Sequence, residues 1–131
     1  MARQVLAVGP EIESVWRAAL LDVRARRGGS RYLQDILGDH VPETVLEHFA
    51  QVGVLWTDDV SSILIVRDRV IVVLFVPPAH RRQGRGRALV QFARDDAPAA
   101  HDALALPGDR ATKSLYESVG WKARLLTLGA A

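Results

Sequence analysis

Apolar positions along this chain change their spacing several times, and the changes mark out the elements. Residues 4–8 form a short apolar run stopped by Gly9-Pro10, which predicts a first strand. Over residues 11–27 the apolar side chains Ile12, Val15, Trp16, Ala19 and Val23 recur at helical spacing, with acids early and arginines late, as a helix dipole favours. Gly28-Gly29-Ser30 ends that helix. A helical turn is expected over residues 32–37, and Pro42 opens a further short helix with Val45, Leu46 and Phe49 on one face.

From Val52 the period switches to that of strands. Residues 52–56, 62–66 and 70–76 are rich in β-branched side chains and separated by short polar turns, which predicts a three-strand meander. The run 70–76 is apolar at every position, so it is expected to be a central strand covered on both faces. Pro77-Pro78 stops it, a glycine-containing basic loop follows, and residues 87–97 return to a helical period through Leu89, Val90, Phe92 and Ala93. Residues 101–106 alternate and predict a strand. Pro107-Gly108 turns the chain, Asp109 caps a helix over residues 111–119, and Gly120 closes it. Residues 121–128 are expected to form the last strand. The expected order is β-α-α-β-β-β-α-β-α-β, an α/β (α+β) chain with an antiparallel front half and a βαβ unit at its centre.

Composition narrows the class without changing this outline. A chain of 131 residues suffices for one core and not for two, so one domain over residues 1–131 is expected. No apolar stretch is long enough to cross a membrane, and residues 1–5 do not start a secretion signal, so a cytoplasmic location is expected. The absence of cysteine excludes disulfides, thiolate metal sites and a cysteine nucleophile within this chain. His40, His48, His80 and His101 show no metal-binding spacing, so no metal is expected. Lysine stands only at Lys113 and Lys122 among many arginines, and alanine is abundant, which points to a GC-rich bacterial genome rather than to a function.

Charge does point to chemistry. The net charge is only +2, yet His80, Arg81, Arg82, Arg85 and Arg87 fall within eight positions, which suggests an anionic partner. They lie where a strand ends and a helix begins. Free N–H groups and a helix dipole both favour an anion there. Gly84 lets oxygen atoms approach the backbone and makes positive φ accessible, and a side chain at Gly86 would stand in the way of a phosphate at the helix start. The loop is not a Walker loop, because it lacks Gly-Lys-Ser/Thr. Nor is it a dinucleotide fingerprint, since position 89 is leucine.

Val76-x-Pro78-x-x-Arg81-Arg82-x-Gly84-x-Gly86-Arg87-Ala88-Leu89 resembles motif A of the GNAT superfamily of acetyl-CoA-dependent N-acetyltransferases, whose core is Arg/Gln-x-x-Gly-x-Gly/Ala. Leu115-Tyr116-Glu117-x-x-Gly120-Trp121 is similar to motif B of the same family, in the right order and at a fitting distance. The resemblance implies a mixed central sheet of about six to seven strands flanked by about four helices. It implies acetyl-CoA as co-substrate and a primary amine as acceptor, joined in a ternary complex. Leu74, Phe75 and Val76 would present backbone groups to the pantetheine arm. Arg81, Arg82, Gln83, Gly84, Arg85, Gly86 and Arg87 would surround the pyrophosphate. Tyr116 would lie near the sulfur as general acid, a sensible partner for a thiol of pKa ~8.5. A backbone N–H near Val76 would steady the tetrahedral oxyanion.

The chain departs from the family pattern at three places. Asp109 stands where the family often has Asn, and an acid is less welcome beside an anion. Pro77 removes one N–H next to the pantetheine site. Residues 70–76 contain no acid to serve as base, which leaves water, Asp58, Asp59, Glu47 or His48 as alternatives. The chain is also short for the family, so the acceptor site is expected to be open or to be completed by a second subunit in a homodimer.

Simpler explanations exist for each of these features. The arginines could be an exposed basic turn, Tyr116 could pack with Leu115 and Val119, His80 reads as an ordinary loop residue, and Trp16, Trp56 and Trp121 read as core anchors. Two other functions compete with acetyl transfer: a catalytically silent acyl-CoA-binding module, which the missing base favours, and nucleic-acid binding. The last is disfavoured because only Phe75 and Phe92 lie near the arginines as stacking platforms. Polyamine, peptide N-terminus, lysine side chain, antibiotic amine and small metabolite all stay open as acceptors.

Overall fold

The computed structural model describes residues 2–96, 98–126 and 128. Strand β1 (Arg3–Gln4) leads into helices α1 (Pro10–Arg24), α2 (Gly29–Leu37) and α3 (Val45–Gln51). Strands β2 (Leu55–Thr57), β3 (Ile63–Arg67) and β4 (Val70–Phe75) follow, then a 3-10 turn (Pro78–His80), α4 (Arg85–Asp95), β5 (Asp102–Ala103) and α5 (Arg110–Ser118). The strands form one sheet in the order β1-β2-β3-β4-β5. All pairs are antiparallel except β4 with β5, which is parallel, so α4 is the crossover of the expected βαβ unit.

The alternation of β3 divides the core. Ile63 and Ile65 face α1, α2 and α3, where Trp16, Leu20, Leu33, Leu46 and Phe49 are buried. Leu64 and Val66 face the other way and pack with Leu89, Val90 and Ala93 of α4 and Tyr116 of α5. Strand β4 is therefore covered on both faces, as its unbroken apolar run requires. Its pairing with β3 slips by one: Ile65 faces Val73 while Val66 faces Ile71, so Val72 is the extra residue of a β-bulge.

Helices came out close to their sequence signals. The weak turn signal over residues 32–37 is a full helix, α2, which brings the helix count to five among the described residues. The sheet is smaller than the six to seven strands expected. Residues 121–126 lie outside any strand, and residue 127 lies outside the described residues. Leu125, Leu126 and Leu128 are exposed, and Arg124 is tied to Asp102 of β5 by an ion pair of 3.1 Å. An apolar run becomes a strand only where an edge of matching length is free to pair with it, and β5 offers two residues. Among the described residues no helix is long and apolar enough to cross a membrane.

The corner between α1 and α2 sets the wall of the cleft described below, and Gly29 makes it tight. A Cβ at Gly29 would stand 1.7 Å from the Val23 carbonyl oxygen, a backbone atom that cannot swing aside. Gly29→Ala is therefore expected to lower stability by about 2–3 kcal/mol, as overpacking does. Urea unfolding checks this, and an unchanged midpoint would show that the corner opens freely.

Candidate functional site

A cleft of about 480 Å³ runs between the C-terminal end of β4, the loop into α4, the start of α5 and the inner sides of α1 and α2. It exists because the sheet parts there. Strand β5 pairs with β4 only at Val70 and Ile71, with one further bond from the Leu104 N–H to the Ile71 carbonyl. Beyond the bulge at Val72 the two chains separate, and Val73–Val76 on one side and Leu104–Leu106 on the other line the opening. An edge of β4 is thus left with backbone groups that can bond an extended ligand.

The loop after β4 turns sharply. Arg82 has φ 62° and Gly84 has φ 76°, two left-handed turns close together that curl the backbone around one point. A left-handed arginine is strained, and such strain gathers at functional sites. The first intrahelical bond of α4 runs from Ala88 N–H to the Gly84 carbonyl. The N–H groups of Arg85, Gly86 and Arg87 therefore precede the helical ladder and point out of its end. Gly86 has a packing reason for its size: a Cβ there would meet a Leu115 methyl of α5 at 3.0 Å. Its small size lets α4 approach α5 closely.

Of the residues singled out in the sequence, Leu74, Phe75, Val76, Arg81, Arg82, Gly84, Arg85, Gly86, Arg87 and Tyr116 all line this cleft. Gln83 does not; its amide oxygen accepts a bond from Arg85 Nε at 3.0 Å. Arg81 folds back on the strand end. Its Nε donates to the Val76 carbonyl at 2.9 Å and its guanidinium lies 5.1 Å from the centre of the Phe75 ring. Arg85 reaches the hairpin between β2 and β3 and meets Asp59 at 2.5 Å, which holds the Asp59 carboxyl below the usual carboxylate range.

Tyr116 sits on α5 with 7% of its surface exposed, its ring stacked on Trp121 at 5.7 Å. Burial, then Tyr32 and Asp109 nearby, push its phenol well above the ordinary tyrosine value, so it keeps its proton. Tyr32 of α2 lines the same cleft, and burial pushes its phenol up as well. The sequence reading passed over Tyr32, because it opens a short helical turn and matches no motif.

The candidate bases fare unevenly. Asp58 is consumed by its own turn, accepting from Val60 N–H at 3.1 Å and Ser62 N–H at 3.0 Å. Asp59 is paired with Arg85. Neither Glu47 nor His48 lines the cleft, and His48 stacks instead on His40 with ring centres 4.2 Å apart. The acids that do line it are Asp22 and Asp109. Asp109 caps α5, accepting from Thr112 N–H at 3.2 Å and from the Thr112 hydroxyl at 2.8 Å. Arg26, in the turn after α1, stands 3.6 Å from Asp109 and 3.2 Å from Asp22, so the carboxylate that is unwelcome beside an anion is compensated by a cation. A signal existed in the i, i+4 spacing of Asp22 and Arg26, but nothing in the sequence tied either to Asp109. A second hollow of about 300 Å³, bounded by α1, α2 and Pro42, has none of the predicted residues in its walls.

A strand that parts from its neighbour, a loop with free N–H groups and a protonated phenol thus meet in one cleft. Residues 44–123 match the family model described as an acetyltransferase (GNAT) domain, more than half of the chain, and the chain belongs to that family. No curated protein and no solved structure matches it.

Proposed function

We propose that this chain, as one domain over residues 1–131, transfers the acetyl group of acetyl-CoA to a primary amine by direct attack within a ternary complex. The observation that carries the reading is the convergence of the Arg82–Arg87 loop, the unpaired edge of β4 and the Tyr116 phenol on one cleft. The N–H groups of Arg85, Gly86 and Arg87 hold the pyrophosphate, helped by the surrounding guanidinium groups. The free edge of β4 over Leu74, Phe75 and Val76 bonds the pantetheine amides. The thioester supplies an activated carbonyl at the end of that arm.

The amine nitrogen forms its bond to the carbonyl carbon, and the carbon–sulfur bond breaks. Tyr116 gives its proton to the departing sulfur as the proton released by the amine passes to water, and Tyr116 is reprotonated from water, so that one proton in all moves from the amine to the sulfur. A water route for that proton is supported by the fate of the acids: Asp58 and Asp59 are engaged elsewhere, while Asp22 and Asp109 share Arg26.

The test is calorimetric titration with acetyl-CoA, CoA and ATP, followed by release of free CoA in the presence of primary amines. Micromolar binding of both CoA species, weak binding of ATP and amine-dependent CoA release are expected. Binding without release would favour a silent acyl-CoA-binding module, and no binding would sink the assignment of the loop.

A further inference from the structure

The cleft has two ends of opposite character. At the loop end stand Arg81, Arg82, Arg85 and Arg87. At the other end α1 and α2 border the cleft with Trp16, Ala19, Leu20 and Leu33, core side chains that are almost wholly buried, so the apolar surface these helices leave open there is that of the half-buried Val23. The Trp16 indole N–H is already used, donating to the Pro42 carbonyl at 2.6 Å.

Among the described residues, the charged side chains that α1 and the turn after it bring to the cleft are Asp22 and Arg26, and they hold each other. Arg26 Nε meets one Asp22 oxygen at 3.2 Å and its terminal nitrogen meets the other at 3.4 Å. The far side of the same guanidinium faces Asp109 at 3.6 Å. No cation is left over to hold a carboxylate on the acceptor, because a carboxylate there would have to displace two others from Arg26. No row of acids is available for a polycation either. Two carboxylates against one guanidinium leave one net negative charge, which matches one ammonium. A second positive charge on the acceptor would point either against the apolar Val23 side chain or toward the arginines of the loop, and both are unfavourable.

We infer that the acceptor is a primary monoamine with an apolar body, lying against Val23. This rests on the acetyl-transfer reading above. Tyr32 of α2 also lines the cleft, and burial pushes its phenol up, so it stays neutral and is able to accept an N–H bond. The cleft of about 480 Å³ is shared with the arm of the first substrate, which suits a small acceptor better than a peptide.

The experiment compares benzylamine and hexylamine with spermidine, lysine and glycine as acceptors, reading free CoA, with acetyl-CoA affinity measured in parallel by calorimetry. The two apolar amines are expected to exceed the charged acceptors in kcat/KM by about tenfold or more, the scale on which apolar pockets discriminate. Val23→Thr, nearly the same shape with a hydroxyl, is expected to reduce that preference several-fold while acetyl-CoA affinity stays the same. Equal or faster use of spermidine, lysine or glycine would overturn the inference. So would tight acetyl-CoA binding with neither apolar amine acetylated. A protein that does not bind acetyl-CoA would take down the acetyl-transfer reading itself, and this inference with it.

Discussion

Gly84→Asp is expected to weaken acetyl-CoA binding by about a hundredfold, close to 2.7 kcal/mol, without unfolding the protein. Gly84 has φ 76°, and a Cβ built there meets nothing within 4 Å, so there is room for a side chain. Two effects then separate. Any non-glycine residue is strained in this left-handed position by about 1–2 kcal/mol, although Asp and Asn tolerate it best. A carboxylate adds a charge where the N–H groups of Arg85, Gly86 and Arg87 gather. Two like charges about 4 Å apart repel by roughly 1 kcal/mol in water and 4 kcal/mol near a protein surface. In the free protein the same carboxylate is welcomed by the start of α4, since a helix N-terminus favours an anion. Gly84→Ala carries the strain without the charge and is expected to bind clearly more tightly than Gly84→Asp. Calorimetry on the three proteins, with melting temperatures alongside, measures both effects. Equal affinities would mean that the loop does not hold the pyrophosphate.

Tyr116→Phe is expected to lower turnover by about a hundredfold or more, the range of a lost general acid, with acetyl-CoA affinity changed little. Phenylalanine keeps the stack on Trp121 and the packing between α4 and α5 and removes only the hydroxyl. Its pH signature follows from burial. The raised value of Tyr116 means that the folded protein retains a proton which the unfolded chain, with an ordinary value of 10.0, has released. Stability attached to this group is fully present below about pH 10 and falls as pH rises beyond it, by at most about 1.4 kcal/mol per pH unit. Tyr32 adds a contribution of the same sign. Urea midpoints between pH 9 and pH 11 are expected to drop less steeply in Tyr116→Phe than in the unaltered protein. A variant with undiminished turnover would make Tyr116 a packing residue.

Much of this site could be read before any fold was known, because it is local. The strand stop at Pro77-Pro78, the glycine at position 84 and the helix that follows lie within one short stretch, and a backbone turn with its N–H groups is specified by its own residues. What could not be read is contact between distant segments. The pairing of Arg85 with Asp59 joins a loop to a hairpin turn 26 positions away. Arg26, in the turn after α1, and Asp109, the cap of α5, are 83 positions apart, and their proximity reverses the expected meaning of an acid beside an anion site. The candidate bases could not be ranked from sequence for the same reason: a carboxylate looks identical in sequence whether it caps its own turn, as Asp58 does, or lines a cleft, as Asp22 does.

The sequence by itself determined the helices, the meander, the βαβ crossover and membership of the acetyltransferase family, since periodicity and turn chemistry act over a few residues. Only the tertiary structure decided how many strands the sheet holds. Residues 121–126, with Lys122 and Arg124 between apolar positions, read as a strand, but pairing also needs a free edge of matching length, and β5 presents two residues. It also decided that the sheet parts after Ile71, because the bulge at Val72 and the divergence of Leu104–Leu106 are properties of two chains side by side. That parting makes the cleft, on the side of which Val23 of α1 is the surface against which the acceptor is proposed to lie.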